Sequence, residues 1–179
     1  MMQKSICFTG HRQISSEVRP DLLRDLRKLL EIAAQNHFLD YYAGGAVGWD
    51  TYCAQAVLEL QDLYPWVTLN LILPCSKEEQ TAQWTKSQIM AYDQIYAAAN
   101  TCEFVSETYT KDCMRQRNQR LVDMADCCIC YYDADHAGWS SGTAQTMHMA
   151  EAKGIPILNL KDNKLDQQIE ILKSIGWSK

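Results

Sequence analysis

Short apolar runs alternate with longer amphipathic stretches along the chain. Residues 5–8, 38–43, 68–73, 101–106, 126–132 and 155–159 are apolar, or rich in β-branched and aromatic side chains, and read as strands. Between them, residues 17–36 place Leu22, Leu23, Leu26, Leu29, Leu30, Ala33 and Ala34 on one helical face. Residues 51–60 do the same with Cys53, Ala54, Val57 and Leu58. Further helices are predicted over 83–100, with Trp84, Ile89, Met90, Ile95 and Ala98 as candidate core, over 111–124, and from just after the Ser140–Thr143 turn to Lys153, where Gly154 ends the helix. A polar tail from about 161 carries a last helix over 165–175. Strands alternating with helices predict an α/β fold with a mostly parallel sheet and helices on both faces. No repeat or linker interrupts the pattern, so residues 1–179 are expected to form a single domain.

Three predicted strands run into turns that carry candidate chemistry. The second leads into Gly44-Gly45-Ala46-Val47-Gly48-Trp49-Asp50, just ahead of a helix. Glycines there can take positive φ and let a ligand approach the backbone, and the free N–H groups of a helix start attract anions. Asp50 could cap the helix or accept ribose hydroxyls. The same glycines would equally suit a tight turn that serves packing alone. The first strand runs into Thr9-Gly10-His11-Arg12, where Arg12 could pair with a phosphate or carboxylate. The third turn is Ser140-Ser141-Gly142-Thr143, with hydroxyls beside a helix start. Ligands of parallel α/β sheets sit beyond the carboxyl ends of the strands. Arg115, Arg117, Asn118 and Arg120 fall on one predicted helix, where Arg117 and Arg120, three apart, form either an anion clamp or a solvated face paired with Asp112 and Asp123.

Composition narrows the classes. The net charge of −5 argues against a surface built to grip nucleic-acid backbone. No apolar run approaches the roughly 20 residues of a membrane span, and no signal-peptide core precedes Gly10, so a cytoplasmic location and no membrane partner are expected. Eight cysteines lie mostly in apolar runs and read as reduced, buried thiols. Cys127, Cys128 and Cys130 alternate across their strand, and no second pair has metal-site spacing, so no metal is expected. Cys75 lies at a strand end but lacks an adjacent activating group and reads as a bystander. No cofactor is implied.

Cys7-Phe8-Thr9-Gly10-His11-Arg12, the Gly44 to Asp50 turn, Arg117-Asn118, and Ser141-Gly142-Thr143 followed by Gly154-Ile155-Pro156-Ile157 occur in an order that resembles the YpsA-like branch of the SLOG superfamily. That superfamily has a Rossmann-like, three-layer fold and includes the LOG-type phosphoribohydrolases and the DNA-processing protein DprA. The resemblance implies that Thr9, Gly10, His11 and Arg12 line one side of a nucleotide pocket. Gly44, Gly45, Gly48 and Asp50 would form its floor, and Arg117, Asn118, Gly142 and Thr143 its phosphate side, beside the Ser141 hydroxyl already marked as a phosphate donor. The LOG-type hydrolases share a Gly-Gly-x-Gly-Thr-x-x-Glu segment whose glutamate is catalytic. Here Ser140 and Ser141 replace glycines, and Thr146 stands where that glutamate would be. A threonine hydroxyl cannot replace a carboxylate acid or base near neutral pH.

The reading that follows is binding or sensing of a nucleotide-derived small molecule. A hydrolase of an N-glycosidic or phosphate bond, with Asp50, His11 and Asp133 as acid/base candidates, is the first alternative. An interaction protein with a vestigial pocket, filled by a side chain such as Trp139, is the second. Self-association through exposed helices is left open.

Overall fold

The computed structural model describes residues 3–137 and 141–177. Six strands, β1 (Lys4–Gly10), β2 (Phe38–Ala43), β3 (Thr68–Leu73), β4 (Thr101–Phe104), β5 (Cys127–Tyr131) and β6 (Ile157–Asn159), form one sheet in the order β4-β3-β2-β1-β5-β6. Every pairing is parallel. The strands are joined by α1 (Arg19–Gln35), α2 (Trp49–Gln61), α3 (Lys77–Gln80), α4 (Lys86–Ala98), α5 (Cys113–Met124), α6 (Ala134–Ala137) and α7 (Gly142–Lys153). Helix α8 (Leu165–Gly176) follows β6.

A parallel sheet must be covered on both faces, and the period-2 alternation of the central strands divides the core accordingly. Ile6 and Phe8 of β1 and Cys127, Ile129 and Tyr131 of β5 pack with Leu26, Leu29 and Leu30 of α1 and Val57 of α2. The intervening Cys7, Cys128 and Cys130 face the other way, toward Leu121 and Val122 of α5 and Ala144 and Ala150 of α7. The result is a three-layer α/β fold of Rossmann-like form.

Local signals account for the element ends. Proline in the first turn of α1 matches the position where its missing N–H costs nothing. Thr85 and Gln88 form a reciprocal capping box on α4. Gly154 ends α7 in the left-handed conformation. The last strand starts later than predicted because the N–H of Ile155 closes the end of α7 on Ala150, 3.2 Å away, and Pro156 has no N–H to give.

Three expectations change. Helix α4 buries Tyr92 and Ile95, whereas Met90 is 62% exposed and Ala98 is also exposed, because the helix rests on α2 by a narrow stripe. Cys102 is exposed because all four residues of β4 face solvent at the sheet edge. The tail is part of the core, for Ile169 and Leu172 of α8 are buried with the residues of α1. Among the described residues, no helix is long and apolar enough to cross a membrane.

Candidate functional site

Strand order reverses at β1. The chain runs outward through β2, β3 and β4 on one side and restarts at β5 on the other. Loops leaving β1 and β5 therefore diverge and open a crevice at the carboxyl ends of the strands. A cleft of about 340 Å³ lies there, built from four segments distant in sequence. Phe8, Thr9, Gly10, His11 and Arg12 come from the end of β1, and Ala46 and Asp50 from the turn into α2. Met114, Arg117, Asn118 and Leu121 come from α5, and Ser141, Gly142 and Thr143 from the start of α7.

Ten of the thirteen residues singled out in the sequence line this cleft. Gly44, Gly45 and Gly48 do not. A Cβ on Gly44 would strike the Arg117 guanidinium, one on Gly45 the Leu73 side chain, and one on Gly48 the Arg12 backbone. Their bareness thus serves close packing behind the cleft. Gly45 and Gly48 also hold positive φ, at 69° and 79°.

The start of α2, which the sequence offered as an anion cradle, is already occupied. The N–H of Trp49 bonds to the carbonyl of His11 at 3.0 Å. The Asp50 carboxylate accepts from the N–H of Ala46 at 3.3 Å instead of capping the helix. Asp50 is buried, and burial pushes its carboxyl above the usual range even though Arg117 opposes the shift. Arg117 is buried as well; burial lowers its guanidinium, with Asp50 opposing. Its Nη1 lies 3.9 Å from the Asp50 carboxylate and donates to the Gly44 carbonyl. Its Nε donates to Asn118 Oδ1 at 2.8 Å. Every arm of Arg117 is engaged by protein, so it holds the floor together.

The start of α7 is different. Ser141 caps it, accepting from the N–H of Ala144 at 3.1 Å. The N–H groups of Gly142 and Thr143 make no hydrogen bond with a described residue, as expected of a helix's first turn. The hydroxyls of Thr9 and Thr143, on residues 7% and 6% exposed, likewise have no partner among the described residues. Arg12 is exposed at the rim and pairs with no described residue. With Asp50 and Arg117 offsetting each other, Arg12 leaves the cleft one net positive charge.

The remaining candidates separate. Arg120 turns away to Glu103, 3.0 Å off at the surface, and so does not join Arg117 in a clamp. The helical stripe Met114, Arg117, Asn118, Leu121 is the one that faces the cleft, and its 3-4-7 spacing was readable. Phe8, Ala46, Met114 and Leu121 also line the cleft although none is among the candidate site residues; Phe8 and Ala46 lie beside or inside the marked turns. Asp133 binds Lys161 at 2.9 Å and His136 at 3.0 Å, and the Lys161 contact holds its carboxyl below the usual range. It does not line the cleft. Thr146 is fully buried and its hydroxyl donates to the Gly142 carbonyl at 2.8 Å. Ser140 and Trp139 lie outside the described residues. Cys75 is buried and its thiol is pushed up to about 11, chiefly by desolvation, which makes it a poor nucleophile. No cluster of metal-ligating side chains occurs among the described residues.

Fold and cleft define a Rossmann-like α/β protein with its crevice at the topological switch point. The chain belongs to the YspA SLOG family (YpsA), whose family model matches residues 7–165. Among curated relatives it is 27% identical over 116 residues to a UPF0398 protein of Bacillus pumilus, and 26% identical over 100 residues to one of Halalkalibacterium halodurans. These matches cover 64% and 55% of the chain but only 61% and 52% of the relatives, so the chain spans less than two thirds of their length. Its fold is shared with DNA processing protein A of Helicobacter pylori, at a TM-score of 0.59 and 17% identity over 93% of this chain and 73% of that one. The Streptococcus pneumoniae counterpart gives 0.59 and 17% over 87% and 49%. A structural-genomics protein, TM1055, gives 0.55 and 18% over 90% and 79%.

Proposed function

We propose that the protein binds a nucleotide or nucleotide-derived small molecule in this cleft, with the ligand's anionic group against Arg12 and the first turn of α7. The observation that carries the reading is the convergence of four remote segments on one crevice that combines a guanidinium, two hydroxyls and helix N–H groups, all without a partner among the described residues. An anion would satisfy those donors together. The volume lies at the low end of the about 300–1,000 Å³ usual for small-molecule sites, which favours a ligand of mononucleotide size. Asp50 and the Thr9 hydroxyl are suited to ribose hydroxyls.

Family membership supports the nucleotide class. The H. pylori DNA processing protein A binds single-stranded DNA; for this chain the net charge of −5 favours a small ligand over an extended strand. The hydrolase alternative has less support. Asp50 is the one carboxylate among the cleft's lining residues and it is held by Arg117, while Asp133 is bound to Lys161.

Calorimetric titration of the protein with nucleoside monophosphates, cyclic nucleotides, ADP-ribose and NAD tests the proposal. At least one should bind, and Arg12→Ala should weaken it about tenfold or more, the scale of one charge-assisted hydrogen bond. No binding across the panel would overturn the reading.

A further inference from the structure

We propose that His11 is a positioning residue that latches the segment after β5 to the end of β1, and that it does so as one tautomer, with Nε2 accepting and the proton on Nδ1. The ring is half-buried and lies against two aromatic neighbours, its centroid 5.8 Å from Tyr131 and 5.6 Å from Tyr132. The backbone N–H of Asp133 donates to His11 Nε2 at 2.7 Å, joining residues 122 apart in sequence. A nitrogen that accepts must be bare, so a neutral ring has its proton on Nδ1. Asp133 does not need His11 for its carboxylate, which Lys161, His136 and the N–H of Asp135 already satisfy. It is the amide that is left for the imidazole.

The backbone of His11 reinforces the arrangement. Its N–H bonds to the carbonyl of Tyr131 at 3.2 Å and its carbonyl accepts from Trp49 at 3.0 Å, so the ring stands on a fixed base. Protonation of the ring would set one N–H against another and open the latch. The groups around it pull in both directions. The backbone and carboxylate of Asp133 favour the cation and His136 and Lys161 oppose it, while Arg12 follows on the same cleft rim and Tyr131 and Tyr132 pack against the ring. Burial is the largest influence and holds the imidazole below its ordinary range. At neutral pH the latch is therefore closed, and Asp133 with α6 stays tied to β1 on the chain path toward α7. Nδ1 has no partner among the described residues and His11 lines the cleft, so its proton is available to a ligand acceptor. This last clause alone rests on the proposed ligand reading.

The latch is tested on the unliganded protein. Nitrogen-15 histidine spectra should show Nδ1 protonated and Nε2 bare at pH 7, with the ring titrating below the range of an exposed histidine. Asp133 amide exchange, corrected for its intrinsic pH dependence, should accelerate about tenfold as the ring protonates, and His11→Phe should show the fast rate at every pH. An Nε2–H tautomer, or an Asp133 amide whose exchange ignores both pH and the substitution, would overturn the proposal. The tautomer measurement needs no variant to fold. Because no ligand is added, failure here is distinct from failure of the nucleotide reading, in which the latch stands but the panel does not bind.

Discussion

Asp50 and Arg117 face each other 3.9 Å apart on the floor of the cleft, both more than nine-tenths buried. One arrives from the first turn of α2 and the other from the middle of α5. Their pairing ties the two halves of the sheet rim together. A buried pair of this kind costs most when only one partner is removed.

Arg117→Met should therefore destabilise the protein by about 3–5 kcal/mol, since it leaves Asp50 buried without its counter-charge. Asp50→Asn with Arg117→Met should cost less than the single change. The pH dependence has a definite sign. Asp50 is raised in the folded state, so its protonated form is favoured by folding; that contribution is complete below about pH 3.8 and is lost as pH rises through the raised value. Urea unfolding of Arg117→Met across this range should show its deficit shrinking toward acid. A deficit that grows toward acid would contradict the pairing.

Gly48 and Gly154 hold nearly the same φ, 79° and 78°, in different surroundings. A Cβ at Gly154 meets nothing within 4 Å, so Gly154→Ala should cost about 1–2 kcal/mol from the left-handed backbone alone. At Gly48 ψ is −123°, outside the left-handed well of Gly154, so a side chain is strained further, and its Cβ also strikes the Arg12 backbone, where overpacking adds about 1–3 kcal/mol. Thermal unfolding should rank Gly48→Ala clearly below Gly154→Ala. Equal losses would mean that neither the backbone conformation of Gly48 nor its contact with Arg12 sets the need for glycine there.

Thr146 invites a test of the missing glutamate. It is fully buried against α7's own backbone, so Thr146→Glu would force a carboxylate into the core. The expected outcome is a loss of several kcal/mol, on the order of that for other unpaired buried charges, with no release of base from nucleoside monophosphates. Release of free base by a stably folded variant would show the site to be a hydrolase lacking one residue.

Leu172 reports on the last helix. It is fully buried with the core around α1, so Leu172→Ala should lower stability by about 2–5 kcal/mol. A change within about 0.5 kcal/mol, the scale of an exposed position, would mean that α8 is not docked.

These residues show how much was legible beforehand. The periods of β1, β5 and α1 are strong because each buries a whole face, and the sequence revealed them. The marked turns also led to the cleft, since strand ends in a parallel sheet share one rim. What could not be read was which donors are already engaged. Arg117 and Arg12 look alike in sequence, yet one is held by Gly44, Asn118 and Asp50 while the other has no partner among the described residues. Gly44 and Gly48 looked like ligand approaches because bareness is the same signal whether a ligand or a side chain fills the space. The depth of α8 and the exposure of Cys102 depend on sheet order, which sets the edge strand and is invisible to local periodicity.

The most direct measurement is a two-dimensional amide NMR titration of the protein with a nucleoside monophosphate. The account predicts that the largest shifts fall on Gly142, Thr143 and Arg12, and that Arg12→Ala weakens the response. Shifts absent at saturating ligand, or confined to residues outside the cleft such as Tyr96 and Phe104, would contradict it.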